Sequence, residues 1–254
     1  MLVKNEWVDS NIKGDAKLWR YMDFTKLVSM LSTQSMFFCR ADNFRDKYEG
    51  KIFAYTDEIA ATSLDRVLKA SNLSQQVKNN VLEDVGSIKN MLFAQMDIER
   101  TRAFINCWHL NAYESAAMWD LYSNGREGIA IQTTYNRLQK SLNNCEEEVF
   151  IGKVKYMDHI KENNFNRNFV EPLFTKRVSF NHENEVRLVY VNPTYDVCNE
   201  NVLGKNIKMD LIDLIEHVYI YPDAAPWFVE VVNAVLEKFN IKVQAIPSNL
   251  YDLK

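Results

Sequence analysis

The sequence predicts an α+β fold: a mixed, largely antiparallel sheet with helices packed on it and a helical insertion. Three observations lead there. Short apolar stretches with period-two alternation recur along the chain, as in LWRYM at 18–22 and GIAIQT at 128–133. A polar segment at 56–99 has its apolar residues at helical spacing instead. The C-terminal part reads as strand, helix, strand, over 217–221 (HVYIY), 224–239 (AAPWFVEVVNAVLEKF) and 241–245 (IKVQA). With 254 residues, one domain can bury a substantial core, and the insertion is expected to belong to it. Only 7 Gly and 5 Pro argue against a barrel or sandwich built of many tight turns.

In chain order, the strand at 18–22 places Leu18, Arg20 and Met22 on one face and Trp19 and Tyr21 on the other. An arginine in so apolar a strand needs an anionic partner, because a buried unpaired charge is costly. Either Arg20 pairs with an internal carboxylate or it awaits an anionic ligand such as a phosphate. Thr25 is placed to cap a helix whose inner side carries Leu27, Val28, Met30 and Leu31. Residues 35–39 (SMFFC) read as a buried strand, and 41–50 (ADNFRDKYEG) as a polar loop with Asp42, Asp46 and Glu49 in solvent.

The insertion spans about 56–99, with Ile59, Val67, Leu68, Val77, Val81, Leu82, Ile88, Met91 and Leu92 as its apolar positions and a break at Asn72 or Ser74. It is the candidate for a lid or partner surface. Strand character returns at 102–110 (RAFINCWHL), followed by a helix at 115–122 on which Met118, Trp119 and Tyr122 share a face. Such a stripe reads as core packing, except that the Tyr122 hydroxyl needs a partner and its ring can stack on a heterocycle. A turn at 123–128, an acidic loop at 143–148, a strand at 151–156 (IGKVKY) and a polar helix over 158–171 complete the middle of the chain.

The stretch 176–190 (KRVSFNHENEVRLVY) carries the chemistry. Alternation from 183 to 189 puts Glu183, Glu185 and Arg187 on one face of a strand and Val186 and Leu188 on the other. The pattern fits a working face of two carboxylates and a guanidinium, or a half-exposed strand whose charges pair in water.

The net charge of -4 gives no overall attraction to nucleic acid, although a local basic patch remains compatible with it. The N-terminal residues MLVKNEWVDSNIKG lack a basic, then apolar, targeting pattern, and no apolar run is long enough to span a membrane, so a cytoplasmic location is expected. Cys39, Cys107, Cys145 and Cys198 are widely spaced and read as reduced, mostly buried thiols. His109, His159, His182 and His217 are too scattered to suggest a zinc site, and no metal is predicted. The phosphate-binding, nucleophile-elbow and HExxH motifs are absent.

Four stretches, LWRYM, ADNFRDKYEG, CWHLNAYESAAMWDLYSNGREGIAI and TKRVSFNHENEVRLVY, together resemble the bacterial domain-of-unknown-function family 2971. Arg45 and Lys47 stand where that family's loop usually has Asn and Pro, and His109 where a small hydroxyl residue is common. The order Arg20, then Cys107-Trp108-His109 with Tyr122 behind, then Glu183-Asn184-Glu185 also resembles ADP-ribosyltransferases. That resemblance implies a nucleotide-type ligand, with NAD as substrate held by Arg20, Tyr21, Trp108, His109 and Arg187. It further implies Glu185 at the ribose, stabilising the oxocarbenium ion as nicotinamide leaves, Glu183 orienting a protein or nucleic-acid acceptor, and Tyr122 at the reacting centre. A role in bacterial or phage defence would be compatible with such an enzyme. Two other readings stay open. Glu185-Val186-Arg187 could be a variant Glu-x-Lys strand of a metal-dependent nuclease, for which Glu171 is the only acid available between 167 and 181. Alternatively, Arg20, Glu185 and Arg187 could form a buried structural network in a non-catalytic binding or regulatory module.

Overall fold

The alternating stretches pair into one large sheet because each has one set of side chains to bury on either side. The computed structural model describes residues 2–3, 8, 11–51, 74–123, 125–158, 169–194 and 202–252. Its strands are β1 (Leu2–Val3), β2 (Lys17–Asp23), β3 (Ser35–Arg40), β4 (Ala103–Leu110), β5 (Gly128–Thr134), β6 (Val149–Lys153), β7 (Lys155–Met157), β8 (Thr175–Arg177), β9 (Glu185–Val191), β10 (Gly204–Lys208), β11 (His217–Ile220) and β12 (Ala245–Pro247). The main sheet runs β1-β6-β9-β4-β2-β5-β11-β12, with β3 also paired to β4 and β10 to β3. Its pairings are antiparallel except β1 with β6 and β11 with β12, so the sheet is mixed and largely antiparallel as expected.

Both faces are covered. On one, Leu18, Met22, Ile129, Ile131, Val186 and Leu188 meet Leu27, Met30 and Leu31 of helix α1 (Phe24–Thr33) and residues of the C-terminal helix Pro226–Lys238. On the other, Trp19, Tyr21 and Ala130 pack on Met118 and Trp119 of the short helix Ala116–Tyr122. The C-terminal strand, helix, strand unit forms a parallel pair, with Pro226 in the first turn where its missing N–H costs nothing.

Several local expectations are corrected. Helix α1 begins at Phe24 with Asp23 at its cap, and Thr25 is exposed. The strand expected at 151–156 is two, because the chain leaves the main sheet at Val154 and β7 pairs with β8 in a separate parallel ribbon. The last strand lies at Ala245–Pro247, beyond the residues 241–245 expected, where it reaches Val218–Ile220 of β11. Ser74 caps the helix Gln75–Arg102, accepting from the Val77 N–H at 3.4 Å. The rest of the expected insertion, 56–73, lies outside the described residues, as do 159–168 of the expected polar helix, His159 and Cys198.

Strand β4 has two different neighbours along one edge. Near its start it pairs with β3 through Phe104 and Ile105, and near its end with β2 through His109 and Leu110. Between these points the edge is open, and the sheet forks. Strand β10 extends the β3 branch, and Gly204 there packs its backbone against the Phe38 carbonyl and the Phe37 ring, leaving no room for a methyl group. Gly204→Ala is therefore expected to destabilise the fold by about 1–3 kcal/mol, measured by denaturant unfolding.

Candidate active site

A cavity of about 400 Å³ occupies the fork, a size ordinary for small-molecule sites. Strands β2, β3 and β4, helix α1, Met118, Tyr122, Glu183 and Glu185 contribute to its wall. At the fork a side chain takes up a backbone carbonyl of β4. Arg20 Nη1 donates to the Cys107 carbonyl at 2.6 Å. Among the described residues Arg20 forms no ion pair with a carboxylate, so of its two sequence readings the internal partner is not what the structure shows. Burial works against its charge and lowers its pKa, so a ligand anion would find it incompletely compensated.

Behind the cavity lies a buried ion network. Lys176 Nζ donates to Glu183 Oε2 and Glu185 Oε1, both at 2.8 Å, and lies 3.1 Å from Glu49 Oε1. Arg187 is 0% exposed and sends Nε to Glu185 Oε2 at 2.7 Å, Nη2 to Glu49 Oε2 at 2.6 Å and Nη1 to the Leu173 carbonyl at 2.8 Å. Three carboxylates thus face two cations. The electrostatics divide them. Burial alone would raise Glu185, but Arg187 and Lys176 overcome it and hold the group well below the usual carboxylate range. Burial and the neighbouring Glu185 push Glu183 up, only partly opposed by Lys176. Lys176 is raised despite its burial because Glu185 and Glu49 surround it. The arrangement keeps one carboxylate charged and leaves the other better suited to exchange a proton.

Glu183 reaches this position by a route the alternation did not foresee. It does not share a strand with Glu185 and Arg187. Residues Val178–Glu183 form 3-10 turns, Asn184 takes the left-handed region at φ 38°, and β9 begins only at Glu185. Asparagine tolerates that conformation, and the Asn184 carbonyl accepts from the Leu110 N–H at 2.9 Å, pinning the turn to the end of β4. The turn brings the Glu183 carboxyl to the side of Glu185. There the Tyr122 hydroxyl donates to Glu183 Oε2 at 2.9 Å, and burial followed by Glu183 raises the phenol's pKa. Tyr122 is 42% exposed and lines the cavity, whereas its helix neighbours Met118 and Trp119 are core residues.

The cavity therefore gathers Arg20, Tyr21, Trp108, His109, Tyr122, Glu183 and Glu185 of the residues expected from sequence. Arg187 is not among its wall residues and acts behind Glu185. Trp108 is mostly core, packed in the main apolar cluster at 1% exposure. Two residues of the network, Glu49 and Lys176, lie outside the expectation from sequence. Glu49 and Asp46, expected in solvent, are both buried, and Asp46 pairs instead with Arg177 Nε at 2.9 Å. The signal was present: two carboxylates on a buried segment demand cations as much as Arg20 demands an anion. The thiols of Cys39 and Cys107 are pushed up by burial, which keeps them protonated and poorly nucleophilic. No helix among the described residues is long and apolar enough to cross a membrane.

The sequence model of a family described as Protein of unknown function (DUF2971) matches residues 118–188, which run from the helix of Tyr122 into β9. No curated protein matches the chain. Two solved chains do. One is Thermus sp. 2.9 DarT in complex with ADP-ribosylated ssDNA, at 8% identity and a TM-score of 0.41, covering 94% of this chain and 97% of that one.

The depressed Glu185 gives a pH test. Its native value lies below the unfolded 4.5, so its stabilisation is present above that value and is lost as pH falls. The stability difference between the protein and Glu185→Gln is expected to shrink by up to about 1.4 kcal/mol per pH unit below pH ~4.5, read from urea melts. Over the segment matched to it, the chain resembles the family of unknown function DUF2971.

Proposed function

We propose that the chain is an ADP-ribosyltransferase-like enzyme that cleaves NAD at the nicotinamide glycosidic bond, passing ADP-ribose to an acceptor or to water. The observation that carries this reading is the meeting, in one cavity, of a guanidinium without a carboxylate partner among the described residues and two unlike carboxyl groups. Arg20 would hold a phosphate of the dinucleotide, and the exposed Tyr122 ring offers a face for nicotinamide. As the bond from ribose C1′ to the pyridinium nitrogen breaks, its electron pair leaves with neutral nicotinamide and positive charge develops on the ribose. Glu185, held ionised in a network with one more carboxylate than cation, stabilises that charge. The acceptor O–H or N–H then attacks C1′ and gives its proton to Glu183, whose raised pKa suits it to receive one. A toxic or defence role is compatible with consuming NAD.

The nuclease reading is less well supported. The space between Glu49, Glu183 and Glu185 is filled by the Lys176 ammonium and the Arg187 guanidinium, which compete with a cation for the same oxygens. The structural reading has one observation in its favour, since both oxygens of Glu185 are already paired. Kinetics separate them. Nicotinamide release from NAD is expected in the native protein and reduced on the order of 10²-fold or more in Glu185→Gln, with folding checked by circular dichroism. Full turnover in that variant, or no release in the native protein with water, protein, RNA or single-stranded DNA as acceptor, would refute the assignment.

A second consequence concerns Tyr122. Tyr122→Phe removes the hydroxyl donated to Glu183 while retaining the ring, so it should keep nicotinamide binding and lower the rate about tenfold. The KM and kcat of NAD cleavage check it, and a loss confined to KM would contradict it.

A further inference from the structure

One buried atom of a residue that lines the cavity has a hydrogen-bonding capacity left unused among the described residues. His109 is 5% exposed, lines the cavity, and stands on β4 directly opposite Glu185 of β9. Its Nδ1 lies 2.6 Å from the backbone carbonyl oxygen of Glu183. A carbonyl oxygen only accepts, so Nδ1 carries the hydrogen, and in the neutral ring Nε2 is left as a bare lone pair. Burial lowers the pKa of the ring, with the carbonyl contact opposing it only in part, and so favours the neutral form. Tyr21 flanks the imidazole, with ring centroids 6.4 Å apart and the planes tilted by 59°. Nε2 is buried and has no partner among the described residues, whereas buried polar side-chain atoms normally find one.

We propose that His109 Nε2 is a ligand-recognition group that accepts a hydrogen bond from an uncharged donor, a hydroxyl or amide N–H, on the molecule bound in the cavity. The inference rests on the proposed function only in taking this cavity as the substrate site. Under that reading the ribose hydroxyls and the carboxamide of NAD belong to the donor class. An anionic group does not, since it would face a lone pair. The contact makes His109 a specificity determinant: a ligand without the donor leaves Nε2 desolvated and unpaired, and is rejected for that reason. It also ties recognition to the reacting carboxyl, because the same ring holds the Glu183 backbone through Nδ1.

The test needs no turnover. Side-chain ¹⁵N NMR of the free protein, with His109 assigned by its loss in His109→Gln, reads the tautomer directly. Phenol, whose hydroxyl donates, is then titrated against anisole, whose methylated oxygen cannot. The expected result is an Nδ1–H tautomer at neutral pH, a shift of the Nε2 resonance with phenol but not anisole, and phenol binding about tenfold tighter, a preference lost in His109→Gln. An Nε2–H tautomer or a doubly protonated ring overturns the proposal. So does equal binding of the two probes, including no measurable binding of either. Neither probe is a nucleotide, so this outcome and failure of NAD cleavage are read separately.

Discussion

Burying three carboxylates at one point obliges the chain to bring cations there, and most of the site's architecture is the means of doing so. Glu49 comes from the loop after β3, Lys176 from β8, Glu183 from a 3-10 turn and Glu185 and Arg187 from β9. Each ion alone would be prohibitively costly in that interior, and removal of a single partner from such a set costs about 3–5 kcal/mol. The five groups therefore constrain one another. Lys176 spends one donor on each carboxylate, and Arg187 closes the remaining gap between Glu49 and Glu185 with its planar fork. Glu183 and Glu185 differ because burial and the neighbouring Glu185 raise the first, with only Lys176 opposing, whereas Arg187 and Lys176 together overcome burial at the second.

The fork in the sheet supplies the complement. A continuous sheet would have paired every backbone group of β4 and left no space beside it. Because β4 passes from β3 to β2, its central edge opens onto a cavity, where the Arg20 side chain donates to the Cys107 carbonyl of β4 and the Asn106 side chain to the Phe37 carbonyl of β3. The cavity thus has the Arg20 guanidinium in its wall together with Glu183 and Glu185 of the ion network. His109 links the two features. It lies on the strand that forms the fork's floor and holds the turn that delivers Glu183.

Much of this was legible in the residues because it follows from local periodicity. The alternation in LWRYM and GIAIQT predicts strands that the sheet contains, and the spacing in the C-terminal segment predicts the helix joining a parallel pair. The anomaly of Arg20 in an apolar strand, and of two carboxylates close together near residue 184, marked the groups that line the cavity. Alternation misled where a single residue's backbone broke the period. Asn184 interrupts the strand, so Glu183 reaches its neighbour by a turn, and an asparagine between two glutamates was the available hint.

The sequence by itself determined the elements and their unbalanced charges, since helix and strand preferences and the cost of burying an ion are properties of short stretches and single groups. Only the tertiary structure decided which charges meet. Glu49 and Arg187 are 138 positions apart and touch at 2.6 Å, and no local pattern in the loop 41–50 separates a solvated glutamate from a buried one. The distinction arises from packing: a carboxylate is drawn inside when distant segments have already placed guanidinium and ammonium groups there that solvent no longer reaches.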